Sequence, residues 1–101
     1  MRVSVDLCVV PLGVGVSLAP YIAACQQVIE EAGLVHELGP NGTAVEGEWA
    51  EVFACLERCH EAVHRMGAPR IHTTVKVNTR IDRQQSFRDK VASVRTAAGA
   101  D

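Results

Sequence analysis

Leu34-Val35-His36-Glu37-Leu38-Gly39-Pro40-Asn41-Gly42-Thr43-Ala44-Val45-Glu46 is the stretch on which the fold turns. Leu34 to Leu38 and Thr43 to Glu46 read as two short strands. Between them, Gly39-Pro40-Asn41-Gly42 carries the glycine, proline and Asn-Gly signals of a tight reversal. A helix is expected on each side of this hairpin. Upstream it runs from Leu18 to Ala32, with Ser17 as its N-cap, Pro20 in the permissive first turn, and Gly33 closing it. Its buried stripe is Leu18, Ile22, Cys25, Ile29 and Ala32. Downstream, after Gly47, it runs from Glu48 to Met66, with Glu48 and Glu51 at its positive end and Arg65 at its negative end. Val52, Cys55, Leu56, Cys59, Val63 and Met66 form its apolar face.

Beyond the helices lie two more strands. Arg2 to Val10 alternates Val3, Val5, Leu7 and Val9 against Ser4, Asp6, Cys8 and Val10, and Pro11 and the glycines after it end it. Arg70 to Ile81 sets Ile71, Thr73, Val75, Val77, Thr79 and Ile81 against Arg70, His72, Thr74, Lys76, Asn78 and Arg80. A last helix, Gln84 to Ala97, shows Phe87, Val91 and Val94 at helical spacing before a small-residue tail expected to fray. The order strand, helix, strand, strand, helix, strand is the ferredoxin-like βαββαβ plan. It is an α+β fold: an antiparallel four-stranded sheet with two helices on one face, here with an extra C-terminal helix, read as one domain over 1–101. The uncovered face should then display Ser4, Asp6 and Cys8 beside His72, Thr74, Lys76 and Asn78.

The 101 residues allow one core, and 48% hydrophobic with 22% charged residues excludes a disordered chain. Tyr21, Trp49, Phe53 and Phe87 are the only aromatic rings, so the core must be aliphatic and few side chains can stack on a flat ligand. A net charge of −2 supplies no field to collect nucleic acid or an anionic membrane. The apolar run from Leu7 to Val16 is broken by Pro11, Gly13 and Gly15, lacks a basic leader and cleavage site, and is too short to span a bilayer. The expected location is the cytoplasm, with Cys8, Cys25, Cys55 and Cys59 as reduced thiols.

Asp6 and Lys76 on the open face are either a solvated pair or part of a ligand pocket completed by a second subunit. Cys55, Cys59, His60 and His64 suggest a metal. At about 100° per residue, however, the cysteines share the core stripe and the histidines the flank, so the four cannot converge; no metal site is expected. The Gly13-Val14-Gly15-Val16-Ser17 loop is no dinucleotide fingerprint, because Leu18 stands at the third glycine position. Glu46 and Glu48 flank Gly47 and offer two carboxylates, yet no nucleophile accompanies them, so no catalytic residue is assigned.

Several segments carry a resemblance. They are Pro11-Leu12-Gly13 with Gly15 and Ser17; Leu38-Gly39-Pro40 with Gly42 to Glu48; Cys59-His60-Glu61-Ala62; Gly67-Ala68-Pro69-Arg70; and Lys76-Val77-Asn78-Thr79-Arg80 with Lys90-Val91. Together, over Val3 to Val94, they resemble the small YkoF-related thiamine-binding protein family. The resemblance implies a ferredoxin-like subunit, a homotetramer built as a dimer of dimers, and binding of thiamine or a related aminopyrimidine in members assigned a ligand; it does not imply catalysis, and neither an enzyme nor a cofactor is expected. It carries over Ser17, Thr43, Glu46, Lys76 and Arg80 as ligand-binding candidates; the open-face argument adds Asp6 and His72. The chain departs from the family at Asn78, where an aspartate is common, and at Asn41, where a methionine is. A lost carboxylate weakens attraction for a cationic thiazolium. One subunit has too little area and too few rings to enclose a flat ligand, so the pocket is expected to be shared between chains. Tyr21 and Trp49 are the rings to watch. A pocket without an aromatic wall would favour a smaller, more polar or anionic ligand.

Overall fold

The structure is a computed structural model and describes residues 1–99; the end of the tail expected to fray, 100–101, lies outside the described residues. Its elements run β1 (Arg2–Leu12), α1 (Ala19–Glu31), β2 (Val35–Leu38), β3 (Thr43–Glu48), α2 (Trp49–Arg65), β4 (Arg70–Asn78) and α3 (Phe87–Ala97). The strands lie in the order β2-β3-β1-β4, with each neighbouring pair antiparallel. This is the ferredoxin-like α+β plan, two interleaved strand-helix-strand units sharing one sheet. Alternation along β1 decides the layering. Val3, Val5, Leu7 and Val9 are buried and meet Cys25 and Ile29 of α1 and Val52, Cys55, Cys59 and Val63 of α2. Such aliphatic side chains contribute roughly 1.5–3 kcal/mol each when fully buried. Tyr21 and Phe53 only pack on the margin of this core.

The register sets Ser4 opposite Asn78, Asp6 opposite Lys76 and Cys8 opposite Thr74, so the polar set expected on the open face does share that face. On the other side of β1, Ser4 is opposite Glu46 and Asp6 opposite Ala44.

Four local expectations are corrected. β1 does not stop at Val10: Pro11 is buried within it, opposite Ile71. Because β3 pairs only with Arg2 to Leu7, the upper part of β1 has a neighbour on one side, where a proline is tolerated. Ser17 does not cap α1; it is exposed, and Leu18 holds the cap position, its carbonyl accepting from the Tyr21 and Ile22 amides at 3.0 and 3.1 Å. β4 ends at Asn78, because Arg80 turns back onto Asp82 and Gln85, and Ile81 is left 96% exposed. α3 starts at Phe87 rather than Gln84, since Ser86 and Asp89 form a capping box there, a signal the sequence reading overlooked.

The hairpin forms as expected, closed by the Gly39 amide donating to the Gly42 carbonyl at 2.8 Å. Its reason differs, for no residue from Gly39 to Gly42 has a left-handed backbone. Gly42 is needed for space: a Cβ there would lie 2.8 Å from Asp6 Oδ1 and 3.1 Å from the Leu7 carbonyl oxygen.

Candidate functional site

A cavity of about 220 Å³ lies between α1 and the β2–β3 hairpin, beside residues Leu7 to Val9 of β1. Leu18, Ile22, Leu38 and Pro40 give it aliphatic walls, and no aromatic residue lines it. That is smaller than a site for a whole drug-sized ligand and suits one ring. Its polar element is Thr43, 4% exposed, whose hydroxyl oxygen accepts from Gln26 Nε2 at 2.8 Å. Having accepted, the hydroxyl keeps its own proton to donate, and the Gln26 carbonyl oxygen remains an acceptor. A donor beside an acceptor in an apolar slot is the complement of a ring nitrogen beside an exocyclic amine. Asp6 is exposed on the opposite face of the sheet and does not line the cavity. It makes no ion pair with Lys76, its cross-strand neighbour, and its carboxylate lies instead against Gly42 of the lining.

The seven candidate residues do not form one constellation. Thr43 is in the cavity, Asp6 lies against its lining, and Ser17 is on the exposed loop just before Leu18. Lys76 and His72 stand on the open face of β4, exposed. Glu46 and Arg80 belong to the opposite end of β1, where a second, larger groove runs along Arg2 to Ser4. Asn41 lines the cavity and Asn78 the groove.

Glu46 has a definite partner set. It is 5% exposed on the sheet face away from α1 and α2, and accepts from Ser86 Oγ at 2.5 Å and from the Phe87 amide at 3.1 Å. A carboxylate at the first turn of α3 is favourable to the helix dipole. Glu46 thus holds α3 onto the sheet. Glu48 is exposed, with Oε2 3.1 Å from the Met1 amino group, so the two carboxylates flanking Gly47 do not face a common substrate position. Arg80 binds Asp82 through Nε at 2.5 Å and Nη2 at 2.7 Å, which holds the Asp82 carboxyl down at about 2.

Gln26 is the site residue that sequence reasoning missed. Its signal was available: it lies one residue from Cys25, beside the buried stripe of α1, and is polar. The cysteines and histidines have structural tasks. Cys25, Cys55 and Cys59 are buried, and hydrogen bonds to Cys25 and then Cys55, with burial, push the Cys59 thiol up. His60 Nε2 bonds Thr73 Oγ1 at 2.6 Å and His64 Nδ1 bonds the Ala68 carbonyl at 2.8 Å. Trp49 stacks on Phe53, ring centroids 4.6 Å apart, and neither it nor Tyr21 lines the cavity. No helix among the described residues is long and apolar enough to cross a membrane.

Fold and cavity together define a small ferredoxin-like α+β protein with a ring-sized pocket at one end of its sheet. The chain belongs to the family described as Thiamine-binding protein, whose sequence profile matches residues 5–95. It is 58% identical over 96 residues to UPF0045 protein sll0230 of Synechocystis, covering 95% of this chain and 79% of that one. It is 40% identical over 88 residues to UPF0045 protein ECM15 of Eremothecium gossypii, covering 86% and 84%. Among solved structures, the hypothetical protein MJ1052 of Methanocaldococcus jannaschii superposes with a TM-score of 0.85 at 24% identity, over 92% of this chain and 95% of that one. A protein of Thermotoga maritima, provisionally described as one of thiamine biosynthesis or salvage, gives 0.81 at 24% identity, over 94% and 100%. These two likenesses concern the fold.

Proposed function

We propose that this protein is a non-enzymatic binder of thiamine or its aminopyrimidine precursor, acting as a carrier, reservoir or sensor. The observation that carries this is the donor–acceptor pair of Thr43 and Gln26 inside an aliphatic slot. The Thr43 hydroxyl donates to a pyrimidine nitrogen, and Gln26 Oε1 accepts from the exocyclic amine. The cationic ring then lies outside the slot, whose roughly 220 Å³ holds one ring only. The slot lacks the aromatic wall that stacking would want, so the exposed part of the ligand is covered by a second copy. A homotetramer is the assembly we propose, and three buried, unpaired thiols support a cytoplasmic setting.

Titration calorimetry with thiamine, its pyrimidine alcohol and thiamine phosphates tests the reading. Saturable binding is expected, weakened about tenfold or more by Thr43→Val, which removes the hydroxyl at near-constant volume. No heat and no thermal shift with any of them would sink it. A second reading, an assembly module without a ligand, is favoured by one observation: Val77, Ile81, Val91 and Val94 are all exposed on β4, the linker and α3. Light scattering on Asp6→Ala and Lys76→Ala separates the two. Dissociation with no ligand effect supports assembly alone; an intact oligomer that no longer binds supports the site.

A further inference from the structure

We propose that the groove between the lower end of the sheet and the linker to α3 is a second binding site, one for a phosphate-bearing small molecule. The groove is about 660 Å³, three times the ring-sized cavity. Residues Arg2 to Ser4 line it, whereas Leu7 to Val9 line the other cavity, so the two are centred about five residues, roughly 17 Å of strand, apart. No single small ligand fills both.

Charge sets this groove apart. The chain carries a net charge of −2, with only ten lysines and arginines in all. Four of them, Arg2, Arg80, Arg83 and Lys90, line this one groove. Of its two acids, Asp82 is paired with Arg80, while Glu46 keeps its charge but has its oxygens occupied by Ser86 and the Phe87 amide, so four cations stand against two carboxylates. Arg2, Arg83 and Lys90 form no ion pair among the described residues. Three uncommitted cations therefore converge on a concavity in a protein of the opposite overall sign, and a dianion is the ligand that such a place attracts.

The cations also have a framework. Arg80 binds Asp82 through two nitrogens and Gln85 Oε1 through Nη1 at 2.7 Å, which ties residues 80–85 into an arch. Glu46 fixes the far end of that arch at Ser86 and Phe87. Arg83 stands on the arch, Lys90 on the first turns of α3, and Arg2 on the sheet opposite. Two guanidinium forks and an ammonium suit the oxygens of a phosphate. Asn78 and Gln84 supply neutral donors beside them.

The test is calorimetry on the full chain at constant ionic strength, with inorganic phosphate in one arm and methyl phosphate in the other. Saturable binding of about one anion per chain is expected in at least one arm. Phosphate alone assigns a free anion, and the ester as well assigns a phosphorylated metabolite; either supports the site. Arg83→Gln with Lys90→Gln, exposed positions at which folding is checked by circular dichroism, should weaken it at least tenfold. Thiamine affinity should be unchanged in the same variant, so the two sites stand or fall separately. No saturable heat from either anion at millimolar concentration, or equal affinity in the double variant, overturns the proposal.

Discussion

The two ends of β1 are built from one strand and behave as different materials. At Leu7 to Val9 the strand meets α1 and a glycine-rich hairpin, and the result is a small slot with aliphatic walls. At Arg2 to Ser4 it meets a linker returning from β4, and the result is a wide groove with four cations. The strand supplies similar alternation at both ends. What differs is the connection that arrives there, a short closed reversal in one case and a tethered arch in the other. In a four-stranded sheet the loops, more than the strands, decide the chemistry of each end.

That contrast can be broken by substitution. The largest effect is expected at Ile29, fully buried where α1 packs on the core. Ile29→Ala should lower unfolding free energy by about 2–5 kcal/mol in urea titration. Val94→Ala, at a position 69% exposed on α3, should stay within about 0.5 kcal/mol. Next comes Glu46→Ala. It leaves the Ser86 hydroxyl and Phe87 amide without their acceptor and should cost about 1–3 kcal/mol. Hydrogen exchange should show α3 losing protection while β1 keeps its own. Third, Gly42→Ala drives a methyl group into the Asp6 carboxylate and toward the Leu7 carbonyl, for a cost of about 1–3 kcal/mol. Asp6→Ala in that background should recover part of the loss, not all of it, because the carbonyl contact at 3.1 Å remains.

The smallest effect is in pH. Burial, and then the neighbouring His64, hold the His60 imidazole below its ordinary value of 6.5. The folded protein therefore binds fewer protons there than the unfolded chain, and stability rises with pH through this window. On acidification the contribution begins to be lost near pH 6.5 and continues down to the folded-state value. His60→Gln should flatten that part of a stability–pH curve measured between pH 7 and pH 5.

The layered body was legible because its signals are periodic. Val3, Val5, Leu7 and Val9 alternate, and Val52, Cys55, Cys59 and Val63 repeat at helical spacing, so both faces could be assigned from the order of residues. The polar open face followed from the same alternation and from the order of the elements, and the register agrees with it. What was not legible was pairing at a distance. Glu46 and Ser86 are 40 positions apart, and nothing local to either marks a buried carboxylate accepting from a helix start. Gly42 illustrates the same limit: the Asn-Gly pair announced a reversal, whereas the reason for the glycine is a carboxylate on a neighbouring strand. Of the two side chains hydrogen-bonded in the cavity, Thr43 was singled out from sequence and Gln26 was not, because their pairing spans 17 positions and Gln26's place beside the buried stripe went unweighed.

One carboxylate anchors the arm. Among the described residues, the side-chain polar contacts of α3 with the sheet are those of Glu46 and one exposed pair, Arg88 Nε to Glu37 Oε1 at 3.3 Å, beside the buried Phe87 ring. Arg83 and Lys90 stand on this arm and Arg2 on the sheet, so the groove is built only with the arm docked. An anion in the groove and the closed position of the arm are therefore thermodynamically linked, each favouring the other by mass action. Tryptic nicking at Arg83 is the readout of that coupling: the linker should be cut more slowly as phosphate is added, and faster when Glu46 is replaced.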